Sequence, residues 1–542
     1  MSNLGGGVSQ RSLNVVEQAN SIAAAGDPER AMALLRDHLQ RDPKSSEVAV
    51  ALAYLLLGNN RPVEAAAAVE ALAGRPYPTI EVLTAFGASL AAMGRLEDAI
   101  GVYEKGVEAA PKSGVAEHNL AAATGDAQRF SESKQAAHRA MAKGLDAIET
   151  WLVYARALKG LGSYDEAETT YRRILKRRPD MFDAHADLAQ LIWMRTEDSF
   201  AALLEIETAL TMRPRDAGLS RVKAKFLDSI NEREAAYAAL REALAQPNAD
   251  PRLDVEAAQI IAWTDGKRAL AHAERAALAA PGRGDVLAAL CQANLAADRP
   301  DVAATIADRL RHGWPNDQFA VALSATAWRM LGDPRYNVLC DYDRFVVGGP
   351  IETPEGWSSL DAYLADLRAR LVALQRLPGH PIGQSLRQGA QTEQTLTLST
   401  DPVIQAFFKA VDGPIRGYLE RARPGDHGLA RAPGAGEVGY RVSGAWSVSL
   451  RPGGYHINHL HPMGWISSAC HIALPGAVEL GREGWLAFGE PGIPTNPRLS
   501  AEHFVKPRPG HLVLFPSYMW HGTVPFSGQE KRLSVAFDIV PA

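Results

Sequence analysis

The stretch Gly453-Gly-Tyr-His-Ile-Asn-His-Leu-His-Pro462 contains two histidines, His459 and His461, with one residue between them. Alternate side chains of an extended strand point to the same face, so both imidazoles are predicted to face one way. A third histidine, His521, follows the apolar run His511–Trp520, which is typical of a strand that leads into a turn. Imidazole binds iron, zinc and copper. Two ligands from one strand and a third from a distant strand therefore predict a three-sided metal site in a β-barrel.

An arginine lies a short distance after the third histidine in the sequence. Arg532 lies eleven residues beyond His521 and begins the alternating segment Arg-Leu-Ser-Val-Ala-Phe-Asp-Ile-Val, in which Ser534 shares its face. A guanidinium beside a metal is a bidentate receptor for a carboxylate, and a serine hydroxyl can donate a further hydrogen bond. A metal next to a carboxylate receptor predicts a keto-acid co-substrate.

The C-terminal part of the chain resembles the Fe(II)- and 2-oxoglutarate-dependent oxygenases. The resemblance is specifically to the oxygenase domain that follows tetratricopeptide repeats in bacterial proteins. It lies in residues 455–468, 484–491, 509–526 and 532–538, which contain the motifs described above. It implies a double-stranded β-helix, or jelly-roll, domain that binds Fe(II), 2-oxoglutarate and O2.

The resemblance also implies roles for individual residues. The catalytic metal ligands would be His459, His461 and His521. The far carboxylate of 2-oxoglutarate would be bound by Arg532 and Ser534. The hydroxyl of Tyr455, four residues before His459, is a further candidate for cofactor binding.

One position departs from the family. Where the family usually has an acidic residue, this chain has His461. If His461 is the third ligand, the iron has three neutral ligands and more uncompensated positive charge, which strengthens its attraction for an anionic co-substrate. Alternatively only His459 and His521 bind the metal, and water or an acidic residue such as Asp538 completes the shell.

Four other histidines have no predicted ligand role. Strand alternation predicts that His456 points away from His459, towards a supporting or surface position. His471 lies in an apolar strand and is predicted to line the pocket. His503 and His511 are predicted to occupy ordinary surface or barrel positions.

The N-terminal part of the chain is rich in alanine and leucine and has regular punctuation. Prolines fall at intervals of 68, 68, 35 and 67 residues, namely at Pro43, Pro111, Pro179, Pro214 and Pro281. These gaps are close to one or two units of about 34 residues, the period of the paired-helix tetratricopeptide repeat. We predict about nine units in a superhelix over residues 1–332. Such arrays commonly bind a peptide or another protein, although a spacer or homodimerisation role is the simpler alternative.

Residues 333–542 are predicted to form the oxygenase-like domain. An amphipathic helix over 359–375 and a second over 402–421 are expected outside the barrel, with a polar loop over 388–400. A turn followed by a strand is predicted over 332–347. Further strands are predicted over 440–443, 445–450, 466–474, 484–488, 511–515 and 532–540.

Composition narrows the functional classes. The chain has 57 basic and 62 acidic residues and a net charge of −5, which gives no general affinity for nucleic acid. Its three cysteines are widely separated and indicate reduced thiols. No signal peptide or membrane-spanning run is evident, so a cytoplasmic location is expected.

These observations predict an Fe(II)- and 2-oxoglutarate-dependent dioxygenase. It would hydroxylate a side chain of a peptide or protein that the repeats recruit. Two alternatives are open. The first is an oxygenase of small molecules, and the second is a non-catalytic scaffold with a metal-binding barrel.

Overall fold

The computed structural model describes residues 10–247, 249–421 and 439–541, which divide into two compact units, Met1–Arg178 and Pro179–Ala542. The described part of the first unit contains paired helices and no strand. Its helices are α1 Gln10–Ala24, α2 Pro28–Arg41, α3 Ser46–Gly58, α4 Pro62–Ala73, α5 Ile80–Ala92, α6 Leu96–Ala109, α7 Gly114–Asp126, α8 Phe130–Ala142, α9 Ile148–Gly160 and α10 Tyr164–Arg177.

Helix pairs of the first unit pack through small residues placed against aromatic rings. Gly87 of α5 faces Tyr103 of α6, and a Cβ built at Gly87 would lie 2.6 Å from the ring. The backbone of α5 can approach the ring closely only because this side chain is absent. The hydroxyl of Thr79 accepts a hydrogen bond from the backbone amide of Val82 and so caps the start of α5. These pairs confirm the predicted repeat architecture.

The second unit begins with nine further helices of the same paired kind. They are α11 Phe182–Thr196, α12 Ser199–Met212, α13 Ala217–Ser229, α14 Arg233–Leu244, α15 Pro251–Ile261, α16 Gly266–Ala279, α17 Gly284–Ala296, α18 Pro300–Gly313 and α19 Gln318–Leu331. Helix α19 ends at Gly332, whose φ of +67° suits a glycine. The predicted domain boundary after Gly332 stays a prediction.

The rest of the second unit combines strands with four helices. The helices are α20 Arg335–Leu339, α21 Tyr342–Phe345, α22 Leu360–Ala373 and α23 Pro402–Arg421, with short 3-10 turns at Leu396–Leu398 and Gly476–Glu479. The strands are β1 Val347–Pro350, β2 Leu386–Gln391, β3 Tyr440–His456, β4 Ile466–Ala473, β5 Leu486–Phe488, β6 His503–Val505, β7 His511–Pro516, β8 His521–Thr523 and β9 Arg532–Pro541.

The strands form two antiparallel sheets. One has the order β1-β7-β4-β9-β3-β2 and the other the order β6-β5-β8. An isolated bridge between His459 and His521 connects the turn after β3 with β8. This arrangement confirms the predicted fold class, an N-terminal helical repeat array followed by a double-stranded β-helix domain with flanking helices.

Helices α22 and α23 cover the outer face of the larger sheet, as predicted. Their buried side chains, such as Tyr363 and Phe407, belong to one apolar cluster with Phe537 of β9. The rings of Phe407 and Phe537 meet edge to face, with centroids 6.0 Å apart. The outer face of this sheet is thus apolar, which leaves its inner face for polar side chains.

Three predicted elements differ from the structure. The strand predicted after a turn within 332–347 is wrong, because α20 and α21 occupy most of that stretch and β1 begins only at Val347. The carboxylate of Asp341 caps α21 by accepting from the Arg344 amide. The polar loop predicted over 388–400 is also wrong at its start, where β2 lies. The two strands predicted over 440–450 form one longer strand, β3, with an irregularity between Val442 and Gly444.

Helix α19 contacts both segments that contain the candidate metal ligands. The Gln318 amide donates to the carbonyl of Pro462, which follows His461. The Trp520 indole donates to the hydroxyl of Thr326 at 3.0 Å, and His521 comes next in the chain. The last repeat-type helix therefore supports the histidine segments. Among the described residues, no helix is long and apolar enough to cross a membrane.

Candidate metal and co-substrate site

The three histidines His459, His461 and His521 lie together at one end of the β domain. Backbone hydrogen bonds between His459 and His521 run in both directions, at 2.9 and 3.0 Å, and fix the two segments side by side. The possible ligand atoms of the three side chains all lie within 4.8 Å of one another. Their ring centroids are 4.2 to 5.2 Å apart. The structure therefore brings together the three residues that the sequence selected.

Each of these imidazoles is anchored through the same ring atom. Nδ1 of His459 lies 2.8 Å from the carbonyl of Ile457, and Nδ1 of His521 lies 3.0 Å from the carbonyl of Met519. Because a carbonyl only accepts, both Nδ1 atoms are protonated donors and both Nε2 atoms keep a free lone pair. Neutral histidines that donate through one nitrogen present the other to a metal in this way.

His461 has a different anchor. Its Nδ1 lies 2.6 Å from Oδ2 of Asp538, while its Nε2 lies 3.3 Å from Nε2 of His459. The other oxygen of Asp538 accepts from the hydroxyl of Ser467, which in turn lies 2.8 Å from the hydroxyl of Ser517. Asp538 is thus held beside His461 on the side away from His459. In this arrangement the carboxylate contacts Nδ1 of His461, while the possible ligand atoms that lie within 4.8 Å of one another belong to the three imidazoles.

Burial keeps the other two imidazoles uncharged. It lowers the pKa of His459 to about 3, with the neighbouring His461 acting in the same direction. Burial also lowers the pKa of His521 well below its usual range. Neutral imidazoles bind a cation without first releasing a proton.

Arg532 lies in the same cavity as the histidines and is almost fully buried, with 2% of its surface exposed. Its Nε and Nη1 donors have no hydrogen-bond partner among the described residues. Burial lowers the pKa of Arg532 to about 10, so the guanidinium is still charged at neutral pH. A buried cation with two free donors is costly unless an anion occupies the adjacent space.

Two neighbours flank this guanidinium. Ser534 follows on the same face of β9 and also lines the cavity. His471, which pairs with Ser534 across β4 and β9, lies with its Nδ1 3.4 Å from an Arg532 nitrogen. Burial and the nearby Arg532 lower the pKa of His471 well below its usual range. His471 therefore stays neutral and leaves the charge of Arg532 uncompensated.

Two sequence-based assignments around β3 change. Tyr455, predicted as a cofactor residue, lines a separate neighbouring cavity, whereas His456 lines the histidine cavity. The expectation that His456 points away from His459 is wrong, since their rings stack with centroids 5.9 Å apart. Alternation fails because β3 ends at His456 and the chain turns before His459. The Ser385 hydroxyl lies 2.9 Å from Nδ1 of His456, a contact that no sequence pattern indicated.

The cavity that contains these groups measures about 560 Å³. At one side it has the three imidazoles, and deeper on β9 it has Arg532 and Ser534. Apolar side chains such as Trp446 and Phe515 line the remainder. A cation and a small dicarboxylic acid are the ligands that this combination of groups suits.

Comparison with known proteins identifies two kinds of segment. Residues 444–538 match the family described as "Putative 2OG-Fe(II) oxygenase". Residues 23–78 and 148–191 match two tetratricopeptide-repeat families. No curated protein matches the chain.

Solved structures that are similar to this chain include repeat proteins. A tetratricopeptide repeat protein from Parabacteroides merdae is 18% identical, with 46% of this chain and 98% of that chain covered and a TM-score of 0.36. A thermophilic tetratricopeptide repeat protein from Thermus thermophilus is 18% identical, with coverage of 36% and 99% and a TM-score of 0.29. MamA is 16% identical, with coverage of 30% and 94% and a TM-score of 0.27.

Proposed function

Because this chain joins tetratricopeptide repeats to a C-terminal domain of the 2OG-Fe(II) oxygenase type, we propose that it is an Fe(II)- and 2-oxoglutarate-dependent dioxygenase. Its substrate is a peptide or protein, of which it hydroxylates a side chain. The repeat helices recruit that substrate and raise its concentration near the metal.

The donor set supports iron as the metal. His459, His461 and His521 offer three imidazole Nε2 atoms, and nitrogen ligands of this kind suit iron. Asp538 supplies through His461 the negative charge that the family usually places directly on the metal. A carboxylate bound to Nδ1 raises the basicity of the imidazole and fixes its orientation. All three histidines are therefore proposed as ligands, in preference to the alternative in which Asp538 binds directly.

The observation on which the proposal mainly rests is the buried guanidinium of Arg532. Arg532 lines the histidine cavity, and its buried Nε and Nη1 have no hydrogen-bond partner among the described residues. A guanidinium with unused donors pairs strongly with a carboxylate. Ser534 adds a hydroxyl to the same anion. We assign both residues to the far carboxylate of 2-oxoglutarate, and we leave Tyr455 out of the cofactor site because it lines the other cavity.

Iron and 2-oxoglutarate, when bound, supply the oxidative chemistry, in which O2 is consumed and the keto acid is converted to succinate and CO2. The protein's own part is binding, orientation and exclusion of water. Arg532 and Ser534 would hold the far carboxylate of the keto acid in the cavity that the three imidazoles also line. Apolar residues such as Phe515 keep the surroundings dry and strengthen these charge interactions.

An anaerobic titration with Fe(II) and 2-oxoglutarate tests the site. Chelation of the metal by the keto acid gives a visible charge-transfer band, which we expect for the wild-type chain. The His521→Ala variant should lose the band because it removes a buried ligand. The His511→Ala variant is the matched control, since His511 lies on β7 outside the cavity. A band of normal intensity in His521→Ala would refute the ligand assignment.

Product analysis distinguishes the proposed enzyme from the two alternatives. The full-length protein is incubated with Fe(II), 2-oxoglutarate and O2, and succinate is quantified with and without added peptides or metabolite mixtures. Stimulation by peptides supports the proposal, and stimulation only by metabolites favours a small-molecule oxygenase. Absence of succinate under all conditions favours the non-catalytic scaffold.

A further inference from the structure

A second, larger cavity opens beside the histidine cavity and has a volume of about 890 Å³. Repeat helices form one wall, with Arg233 at the start of α14 and Trp263 just after α15. The β domain forms the other wall, with Tyr455, Phe504 and the segment 490–501. We call this space the outer cavity. Both walls belong to the second compact unit.

The outer cavity adjoins the proposed metal site. His456, Ile457 and Thr523 line both cavities, so these residues form the boundary between them. The Thr523 hydroxyl accepts from the backbone amide of His456 at 2.8 Å, which fixes the boundary. A group that enters from the outer cavity must therefore pass His456 to approach His459.

The wall formed by residues 490–501 is firmly attached on its far side. The amide of Asn496 donates to the carbonyl of Leu295 in α17, and Arg329 in α19 donates to the carbonyls of Gly489 and Ser500. Gly492 lies against the backbone of Asn458, where a Cβ would come within 2.0 Å of the carbonyl oxygen. The repeat helices thus hold this wall in place, and the outer cavity is preformed.

Positive charge is concentrated on the repeat side of the outer cavity. Arg233 stacks on Trp263 with its guanidinium carbon 4.3 Å from the ring centroid, and its side chain is 35% exposed. Its Nε lies 3.6 Å from an Asp228 oxygen, which is too long for a hydrogen bond, and has no hydrogen-bond partner among the described residues. Arg387 of β2, which is buried and does not line the outer cavity, is a second cation that interacts with the same Asp228. Two cations therefore share one carboxylate.

The other charges that line the outer cavity compensate each other. Arg498 donates to Glu490 at 2.7 Å. Arg233 is therefore the lining cation that is available to a ligand, since its Nε has no hydrogen-bond partner among the described residues and its flat guanidinium is already oriented by Trp263. A carboxylate is the group that such a guanidinium binds best.

We propose that the outer cavity binds the substrate as an extended polypeptide segment. A carboxylate side chain of that segment pairs with Arg233, and the neighbouring target side chain passes His456 into the histidine cavity. This inference rests on the proposed function and specifies its substrate class. A small metabolite would fit within the inner cavity alone, whereas a polypeptide requires the additional space that the repeat helices and the β domain enclose together.

The test uses full-length protein with Fe(II) and 2-oxoglutarate under anaerobic conditions. A degenerate library of short synthetic peptides is passed over the immobilised protein, and the retained peptides are sequenced. We expect enrichment of peptides with Asp or Glu. The Arg233→Gln variant should reduce this enrichment about tenfold, the effect of losing one charge-assisted hydrogen bond, and Arg233→Glu should shift it towards Lys and Arg. Arg241→Glu is the matched control, because Arg241 is exposed on the same helix and does not line the cavity.

A second variant tests the location independently of charge. Ala501→Trp introduces a large side chain into the outer cavity and should reduce retention of all peptides. The charge-transfer band with Fe(II) and 2-oxoglutarate should stay unchanged in every variant, which shows that each is folded.

The outcomes separate this inference from the proposed function. The peptide site is overturned if the charge-transfer band is normal but acidic peptides are not enriched. It is also overturned if acidic peptides are still enriched by Arg233→Glu or Ala501→Trp. Both results leave the oxygenase assignment intact. Acidic enrichment that depends on Arg233 in a protein that forms no band supports the peptide site and contradicts the oxygenase assignment.

Discussion

The Arg532→Met substitution tests the co-substrate site most directly. Arg532 lines the histidine cavity, is buried and charged, and has two donors, Nε and Nη1, without a partner among the described residues. A hydrogen bond to a charged group contributes about 1.5–3 kcal/mol, and removal of one partner of a buried ion pair costs about 3–5 kcal/mol. At about 1.4 kcal/mol per tenfold change, the dissociation constant of 2-oxoglutarate should rise roughly a hundred- to several-thousand-fold.

In the absence of ligand, the Arg532→Met substitution should not lower the thermal stability of the protein. Methionine fills a similar volume without a buried charge or unsatisfied donors, so the thermal midpoint of the ligand-free protein should be unchanged or higher. Stabilisation by added 2-oxoglutarate should disappear, because stabilisation by a ligand depends on its affinity for the folded state.

The assay combines the anaerobic charge-transfer titration with thermal unfolding at several concentrations of 2-oxoglutarate. Arg441→Met is the control, since Arg441 is an exposed arginine on β3 of the same sheet. A large loss of stability in ligand-free Arg532→Met, with unchanged affinity for 2-oxoglutarate, would show that Arg532 is a structural residue. That result would refute the reasoning.

Three further predictions concern the metal shell and the repeats. Asp538→Asn should weaken Fe(II) binding roughly 10- to 100-fold in a metal titration, because His461 loses its anionic partner; unchanged affinity would contradict this support. The His461→Asp variant should still bind Fe(II), because it places a carboxylate near the metal. In the double variant His461→Asp/Asp538→Asn, the second substitution should cause no further loss of Fe(II) affinity; additive losses would show that the two positions act independently. Gly87→Leu should lower the thermal midpoint of unfolding, since overpacking against Tyr103 costs about 1–3 kcal/mol, whereas Gly101→Leu meets open space on α6 and should be nearly neutral.

The sequence predicted the helices well because their signals are local. Helix α23 has the predicted bounds, and α22 begins immediately after the capping residue Ser359. Strand β2 was missed because its alternation includes Arg387 and Gln388, and polar residues on both faces resemble a loop. Residues 338–347 are apolar enough for a strand, but the Asp341 cap and the burial of Leu339 and Phe345 favour two helical turns.

The site could be predicted only where its chemistry lies within a motif. The pair His459 and His461, the distant His521, and Arg532 with Ser534 were all selected from their spacing in the sequence, although β3 ends before His459. The sequence does not predict that Tyr455 lies outside the histidine cavity or that His456 lines it, because both placements depend on where β3 ends. The outer cavity was equally inaccessible, since Arg233 and Tyr455 are far apart in the chain and meet only when repeat helices pack beside the β domain.

The role of Asp538 shows why the third ligand could not be decided from spacing. Asp538 lies 77 residues from His461, and only the β4–β9 register, in which Ser467 pairs with Asp538, brings the carboxylate to the imidazole. With the carboxylate in this position, the proposed metal site has a negative charge one imidazole away from the place where the metal would bind. A charge that acts through a hydrogen bond compensates the cation less than a direct ligand does. The site should therefore attract the anionic co-substrate more strongly, and the uncompensated Arg532 adds to the same attraction.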